Sequence, residues 1–173
     1  MSSPVYRQAR PEDAQTIAAF QLAMALETEG LHLDPAVCLN GVRAVFEIPS
    51  LGRFYVCERD AKVIGSALTT YEWSDWRNGV VWWIQSVYVD PDYRKQGVYA
   101  GIYAFIRDLA NADDNVQGIR LYVDRRNAVA MQVYSRLGMD GEHYQVFEWM
   151  KPAPPHADGP PAQSKLKSTR NPP

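Results

Sequence analysis

One stretch in the middle of the chain changes its hydrophobic period from that of a strand to that of a helix, and it constrains the fold most. Residues 80–89 are rich in valine, tryptophan, isoleucine and tyrosine, which favour strands. The segment 90–92, Asp-Pro-Asp, ends this strand, because proline has no N–H to donate to a neighbouring strand. Apolar residues then recur at helical spacing between 98 and 109. The sequence therefore predicts a strand, a tight basic turn and a helix in direct succession.

The turn of this unit has the chemistry of an anion-binding site. The first N–H groups of a helix have no partner within the helix, and they lie at the positive end of its dipole. Arg94 and Lys95 add charge just before the helix, and Gly97 lets a ligand approach the backbone. These features predict a pyrophosphate site. The alternative is an ordinary turn with solvated basic residues, since neither the Walker glycine-lysine pattern nor the three-glycine dinucleotide fingerprint is present.

The spacing Arg94-x-x-Gly97-x-Tyr99, after a strand that ends at residues 87–89, resembles the acyl-CoA signature of the GNAT superfamily of N-acetyltransferases. That family's pattern is Arg/Gln-x-x-Gly-x-Gly/Ala. Tyr99 departs from it at the last position, where a small residue is usual. The larger side chain is expected to reshape the wall near the pyrophosphate or the pantetheine of CoA.

A second segment carries the same resemblance. Asn127, Ala130 and Tyr134 are followed by Leu137 and Gly138, and this spacing after an apolar strand is similar to the second GNAT motif. The resemblance covers roughly residues 4 to 150. It implies an α/β (α+β) fold with a mixed, mostly antiparallel central sheet flanked by helices, in which the fourth and fifth strands splay apart and acyl-CoA lies between them.

The resemblance also implies roles for individual residues. Backbone groups of Val87 and Val89 would bond the pantetheine amides, and the Val87 N–H would polarise the acetyl carbonyl. Tyr134 matches the position of the proton donor to the leaving thiolate. The residues implied in CoA binding are Val87, Tyr88, Val89, Arg94, Lys95, Gln96, Gly97, Val98, Tyr99, Asn127 and Tyr134. The cofactor expected is acetyl-CoA as co-substrate, with no metal.

The reaction also needs a base, because an alkylamine with a pKa of about 10.4 is protonated at neutral pH. Glu72 and Asp75 are the best-placed carboxylates in the sequence, since their loop leads into the central strand. Glu72 is predicted as the catalytic carboxylate beside Tyr134. The alternative is that both are solvated turn residues.

Acceptor recognition is predicted from two places. The resemblance implies that the first helix pair overhangs the acceptor site, which makes Glu27, Glu29 and His32 candidates, although charged residues at a helix end are more often a solvated cap. Gln85 and Ser86 lie on the central strand, and one of them should point towards the acceptor, since strand neighbours face opposite sides. The substrate-binding residues predicted are therefore Glu27, Glu29, Gln85 and Ser86. Trp73, Trp76, Trp82 and Trp83 offer either a cation cage or core and dimer surface, and the latter is favoured.

The rest of the chain predicts one domain at 1–150 and a tail at 151–173. Strands are predicted at 5–9, 53–58, 62–70, 119–123 and 144–150, and helices at 11–29, 36–46 and 128–137. Gly30 is predicted to end the first of these helices, and Asp34 to be the N-cap of the second. Seven of the 12 prolines lie after residue 151, and this composition predicts disorder. The net charge of −2 gives no general attraction to nucleic acid.

The predicted protein is a cytoplasmic acetyltransferase that moves the acetyl group of acetyl-CoA to a primary amine of a small molecule, by direct attack in a ternary complex. The N-terminal residues lack an apolar signal core, and neither a membrane nor a nucleic acid is an expected partner. A homodimer is left open. The alternatives are a protein or peptide N-acetyltransferase and a non-catalytic CoA-binding module.

Overall fold

The computed structural model describes residues 2–151, which contain five strands and four α-helices. The elements are β1 Val5–Gln8, α1 Ala14–Glu29, α2 Pro35–Glu47, β2 Arg53–Arg59, β3 Lys62–Ser74, β4 Gly79–Val89, α3 Val98–Asn111, β5 Val116–Arg120 and α4 Ala128–Arg136. Short 3-10 turns precede α1 and follow β4. The compact unit ends at Gly141, and residues 142–151 belong to a second unit. The predicted domain boundary at 150 stays a prediction, and residues 152–173 of the predicted disordered tail lie outside the described residues.

The five strands form one sheet in chain order, β1-β2-β3-β4-β5. The first three pairings are antiparallel, and β4 pairs with β5 in parallel. This mixed, mostly antiparallel sheet with flanking helices confirms the predicted fold class. The ladder between β4 and β5 runs only from Val80 to Trp83 on β4. Beyond Trp83, the described residues supply no strand partner on that edge of β4, so the second half of β4 has an open edge.

A bulge in β4 marks the point at which the strand changes phase. Ser86 has a positive φ of 51°, and the register between β3 and β4 skips a residue opposite this position. Such a bulge adds one unpaired residue and bends the strand. As a result Val87 packs on the α3 side of the sheet, whereas Tyr88 contacts Phe20 of α1 on the other side, with ring centroids 5.1 Å apart.

Helices cover both faces of the sheet. On one face, Ile102 and Ile106 of α3 are almost fully buried against β2, β3 and β4. On the other face, Ile17 of α1 and Val42 of α2 pack against Val56. None of the helices in residues 2–151 combines the length and the apolarity needed to cross a membrane.

Local signals explain where the helices begin and end. The Asp34 side chain accepts hydrogen bonds from the N–H groups of Ala36 and Val37, which confirms its predicted role as the N-cap of α2. Gly30 ends α1 in the left-handed region, at φ 66°. Capping therefore fixes the tight connection between α1 and α2.

Three predicted strands differ from the structure. The third strand continues to Ser74 instead of ending at residue 70, so Glu72 lies in β3 and not in a loop before the central strand. The fifth strand spans 116–120 instead of 119–123, because the parallel ladder begins opposite Val80, at the start of β4. The strand predicted at 144–150 is wrong, since this segment has no regular structure. A strand needs a neighbour to take its backbone hydrogen bonds, and no strand in residues 2–151 pairs with this segment. The aromatic residues of the segment are largely exposed.

Candidate active site

The loop between β4 and α3 presents an open helix terminus. Gly97 is the N-cap residue of α3, has a φ of 78°, and makes no side-chain capping bond. A Cβ placed on Gly97 would have no atom within 4 Å, so the space above the backbone is free. The first N–H groups of α3 therefore face a gap at the positive end of the helix dipole, which is the arrangement that binds a phosphate group.

Backbone strain is concentrated in the same region. Among residues 2–151, five non-glycine residues have a positive φ: Asp60 and Ala61 in the β2–β3 turn, Asn78 in the turn before β4, and Ser86 and Lys95. Tight hairpin turns account for the first three. Ser86 lies in the bulge of β4, and Lys95 lies in the loop before α3. A non-glycine residue with a positive φ costs free energy, and such residues are often found at functional sites. This strain was not among the features predicted from the sequence.

The loop between β4 and α3 is held by the β2–β3 hairpin, and this contact was not predicted from the sequence. The Arg59 Nη1 donates to Gln96 Oε1 at 2.9 Å, and Gln96 Nε2 donates to the Asp92 carbonyl at 3.0 Å. Beside them, Lys62 Nζ lies 2.8 Å from Asp90 Oδ2. Arg59 and Lys62 flank the β2–β3 turn, so this hairpin supports the loop from the side. Two basic residues around a tight turn are the signal in the sequence that could have identified it.

Arg94 turns away from the helix terminus towards α1. Its Nε donates to the Val89 carbonyl at 3.0 Å, and its Nη2 lies 2.7 Å from Glu27 Oε2. The Tyr88 hydroxyl donates to Glu27 Oε1 at 2.7 Å. The Tyr88 hydrogen bond and the Arg94 guanidinium lower the pKa of Glu27 from its ordinary value. The structure thus brings Glu27, a predicted acceptor-binding residue, into contact with Tyr88 and Arg94, which were both predicted to bind CoA.

Two tyrosines join α3 to α4. The rings of Tyr99 and Tyr134 meet edge to face, with centroids 5.7 Å apart, and Tyr99 also lies beside Tyr103. Burial raises the pKa of Tyr134 above its ordinary value of 10.0, and the nearby Tyr99 hydroxyl offsets part of this effect. The two hydroxyls do not reach hydrogen-bonding geometry, and the buried Tyr99 hydroxyl has no partner in the described part of the chain. The unusual Tyr99 therefore forms part of the wall around the predicted proton donor.

Asn127 has a structural role in the ligand-free protein. Its side-chain oxygen accepts a hydrogen bond of 3.0 Å from the Ala130 N–H and so caps the start of α4. This bond fixes the beginning of the helix that carries Tyr134. A direct contact between Asn127 and CoA remains a prediction.

Glu72 lies where β4 and β5 part. Its Oε1 is 2.7 Å from Arg120 Nη1, and its Oε2 accepts a hydrogen bond of 2.5 Å from Trp83 Nε1. Trp83 and Arg120 are the last paired residues of the two strands. Gln85 lies one step further along the same sheet face, and its Nε2 donates to Thr70 Oγ1 at 2.7 Å. Glu72 and Gln85 therefore lie on the same face of the sheet near the split, without a direct contact between them.

Other predicted residues lie apart from this cluster. Asp75 accepts a hydrogen bond from the Trp76 N–H within its turn. Glu29 is the exposed last residue of α1. His32 lines a shallow apolar groove at the α1–α2 connection. The four tryptophans do not form one cage. Trp82 is buried under α3, whereas Trp83 lies on the opposite face of the sheet. Trp73 and Trp76 are exposed.

Comparison with known proteins agrees with this architecture. Residues 21–139 match the model of the acetyltransferase (GNAT) family. A crystal structure of a possible acetyltransferase from Clostridium difficile 630 is 39% identical to the chain, with a TM-score of 0.80, and the match covers 87% of this chain and 99% of the other. The chain belongs to the GNAT acetyltransferase family. This family membership supports an acyltransferase.

More distant structures share the fold alone. Glucosamine-6-phosphate N-acetyltransferase from Arabidopsis thaliana has 16% identity and a TM-score of 0.65, over 87% of this chain and all of the other. A predicted acetyltransferase from Clostridium acetobutylicum, solved with acetyl-CoA, has 18% identity and a TM-score of 0.65, over 84% and 96% of the two chains. A comparison with curated protein sequences finds no match.

Proposed function

We propose that the protein transfers the acetyl group of acetyl-CoA to the primary amine of a small molecule, by direct attack in a ternary complex. One observation carries this proposal. The open edge of β4 leads directly to the uncapped start of α3, so one continuous surface offers strand-like backbone groups and then phosphate-binding N–H groups. A ligand with an amide-containing arm and a diphosphate matches this order.

The proposed position of CoA follows from that surface. Backbone N–H and C=O groups of Val87 and Val89 hold the pantetheine amides as a neighbouring strand would. The N–H groups from Gln96 to Tyr99 hold the diphosphate, and Lys95 adds charge at its rim. The hydrogen bond from Arg59 supports this placement, because it holds the Gln96 side chain in one position.

In the proposed reaction, the neutral amine attacks the acetyl carbonyl while the Val87 N–H stabilises the developing oxyanion. A C–N bond forms, the C–S bond breaks, and the CoA thiolate receives a proton from Tyr134. The nitrogen loses one proton as the amide forms, and this proton restores the Tyr134 hydroxyl through solvent. The position of Tyr134 supports this role, and a phenol with an ordinary pKa of about 10 keeps its proton at neutral pH and can donate it as the thiolate leaves. Burial raises the pKa of Tyr134 further, so the hydroxyl is protonated before the reaction.

Glu72 is the proposed base. Trp83 and Arg120 each donate a hydrogen bond to one of its carboxylate oxygens. Glu72 must therefore give up one of these two hydrogen bonds before it can accept a proton from the ammonium or from an intervening water. The neutral indole of Trp83 is the weaker of the two donors, because a hydrogen bond from the charged Arg120 is charge-assisted. Exchange at Oε2 would leave the carboxylate anchored by Arg120.

A protein or peptide amino group is the second candidate acceptor, and exposure favours it. The side chains of Glu27 and Glu72 are 41% and 37% exposed, so the acceptor face is open to solvent. An open face accommodates a chain terminus as well as a small amine. A non-catalytic CoA-binding module is a third option. It would bind CoA as an enzyme does, so only an assay of turnover distinguishes the two.

An acceptor panel tests the function. The full chain is incubated with acetyl-CoA and small primary amines or amino-terminal peptides, and the release of CoA thiol is measured against a reaction without acceptor. We expect release with one class of amine and its loss in Gly97→Asp, with the acetylated product identified by mass spectrometry. CoA binding without release for any amine would assign the protein to the non-catalytic class.

A further inference from the structure

The ion pair between Arg94 and Glu27 connects the predicted CoA loop to α1. Glu27 lies in the last turn of α1, where the helix dipole disfavours a carboxylate. The Tyr88 hydroxyl and the Arg94 guanidinium provide the two contacts that hold it there. Glu27 therefore depends on residues of β4 and of the loop for its place on the surface.

The pair is also easily opened. The side chains of Arg94 and Glu27 are 43% and 41% exposed, so water and salt screen their attraction. Arg94 lies three residues before Gly97, at the edge of the proposed diphosphate site. A diphosphate carries more charge than one carboxylate and binds arginine in a bidentate manner. A bound diphosphate would therefore compete with Glu27 for the same guanidinium.

We propose that Arg94 exchanges its partner when CoA binds. Without CoA, Arg94 pairs with Glu27; with CoA, it binds the diphosphate instead. Glu27 is then left as a carboxylate without an arginine partner, and it can bind the ammonium group of the acceptor. This inference rests on the proposed function. Tyr88 keeps Glu27 in place after the exchange, because its hydroxyl bonds the other carboxylate oxygen.

The position of Glu27 explains why this exchange matters for the acceptor. Beyond the bulge at Ser86, the Tyr88 side chain lies on the same sheet face as Gln85 and Glu72, and Glu27 bonds Tyr88 above that face. Before CoA binds, both carboxylates, Glu27 and Glu72, are paired with arginines. After CoA binds, Glu27 carries an uncompensated negative charge beside the open edge of β4. The acceptor is then a cationic amine that binds more tightly once CoA is present.

A double-mutant cycle with CoA as the probe tests the exchange. Calorimetry at fixed ionic strength gives the Kd of CoA for the wild type, Glu27→Gln, Arg94→Gln and the double variant. We expect Glu27→Gln to bind CoA about two- to fivefold more tightly, the size expected on release from an exposed ion pair. In the Arg94→Gln background, the same substitution should change the Kd by less than about 1.5-fold, because the shared partner is absent.

Matched variants separate the exchange from a general charge effect. Glu47 is an exposed glutamate at the end of α2 that forms no ion pair in the described part of the chain, so Glu47→Gln removes the same charge elsewhere. Glu27→Ala repeats the test without an amide oxygen that could still bond Arg94. Thermal melting shows that each variant is folded.

The outcomes are distinct. An unchanged or weaker affinity in Glu27→Gln and Glu27→Ala overturns the exchange, as does a gain that persists in the Arg94→Gln background or appears equally in Glu47→Gln. In each of these cases the wild type still binds CoA and the proposed function stands. A wild type that fails to bind CoA overturns both proposals.

Discussion

Replacing Gly97 by aspartate places a carboxylate in the gap at the start of α3, and the structure separates its two effects. The Cβ of the new residue meets no atom within 4 Å, so the start of the side chain causes no clash in the fold. The left-handed φ of 78° does impose a cost of about 1–2 kcal/mol on any residue with a Cβ. For a chain of this size, we expect a fall in Tm of roughly 2–8 °C.

The effect on CoA binding is electrostatic. A carboxylate about 5 Å from a phosphate charge is repelled by about 0.8 kcal/mol in water and about 3 kcal/mol at an effective dielectric constant of 20. With a diphosphate at the helix start, the Kd of CoA should rise at least about tenfold, which corresponds to about 1.4 kcal/mol.

Gly97→Asn is the matched control, because it has nearly the same shape and backbone strain without the charge. Calorimetric titration with CoA should show a much smaller loss for Asn than for Asp, and the two variants should melt at similar temperatures. Equal affinities for wild type and Gly97→Asp would refute the placement of the diphosphate. Equal losses for Asn and Asp would refute the electrostatic explanation.

Three further changes test other parts of the site and chain. Tyr134→Phe should lower the single-turnover rate about 10²–10⁴-fold at an unchanged Kd for CoA; a rate within about threefold of wild type would assign Tyr134 to packing alone. Glu72→Gln should lower that rate at neutral pH by about 10²-fold, whereas Asp75→Asn should not, and the reverse result would make Asp75 the base. Truncation after Lys151 should leave the Tm within a few degrees and CoA binding unchanged, because the removed segment is poor in large apolar residues; insoluble truncated protein would contradict the boundary.

Local sequence patterns predicted the parts of the site that depend on local structure. The change of period around residues 90–97 predicted the turn before α3, and Gly97 stands where a left-handed residue is required. Asp34 and Gly30 likewise marked the ends of helices. These features depend on backbone preferences that a few neighbouring residues determine.

The features that were missed depend on distant residues or on the absence of a neighbour. Arg94 and Glu27 are 67 positions apart in the chain, and Arg59 and Gln96 are 37 apart, so no local pattern pairs them. The bulge at Ser86 had a weak signal, because the adjacent polar residues Gln85 and Ser86 break the apolar alternation of β4. The segment 144–150 has the pattern of a strand, but no strand within residues 2–151 pairs with it.

The short ladder between β4 and β5 has a consequence for the mechanics of the molecule. One side of the split carries the open edge of β4, and the other carries β5 and, after it, α4 with Tyr134. Backbone pairing joins these two sides along only the first part of β4. A substrate bound in the split would bridge them and act as a removable cross-link within the domain. The rigidity of the catalytic wall would then rise and fall with each turnover, whereas the antiparallel sheet of β1 to β4 stays a fixed frame.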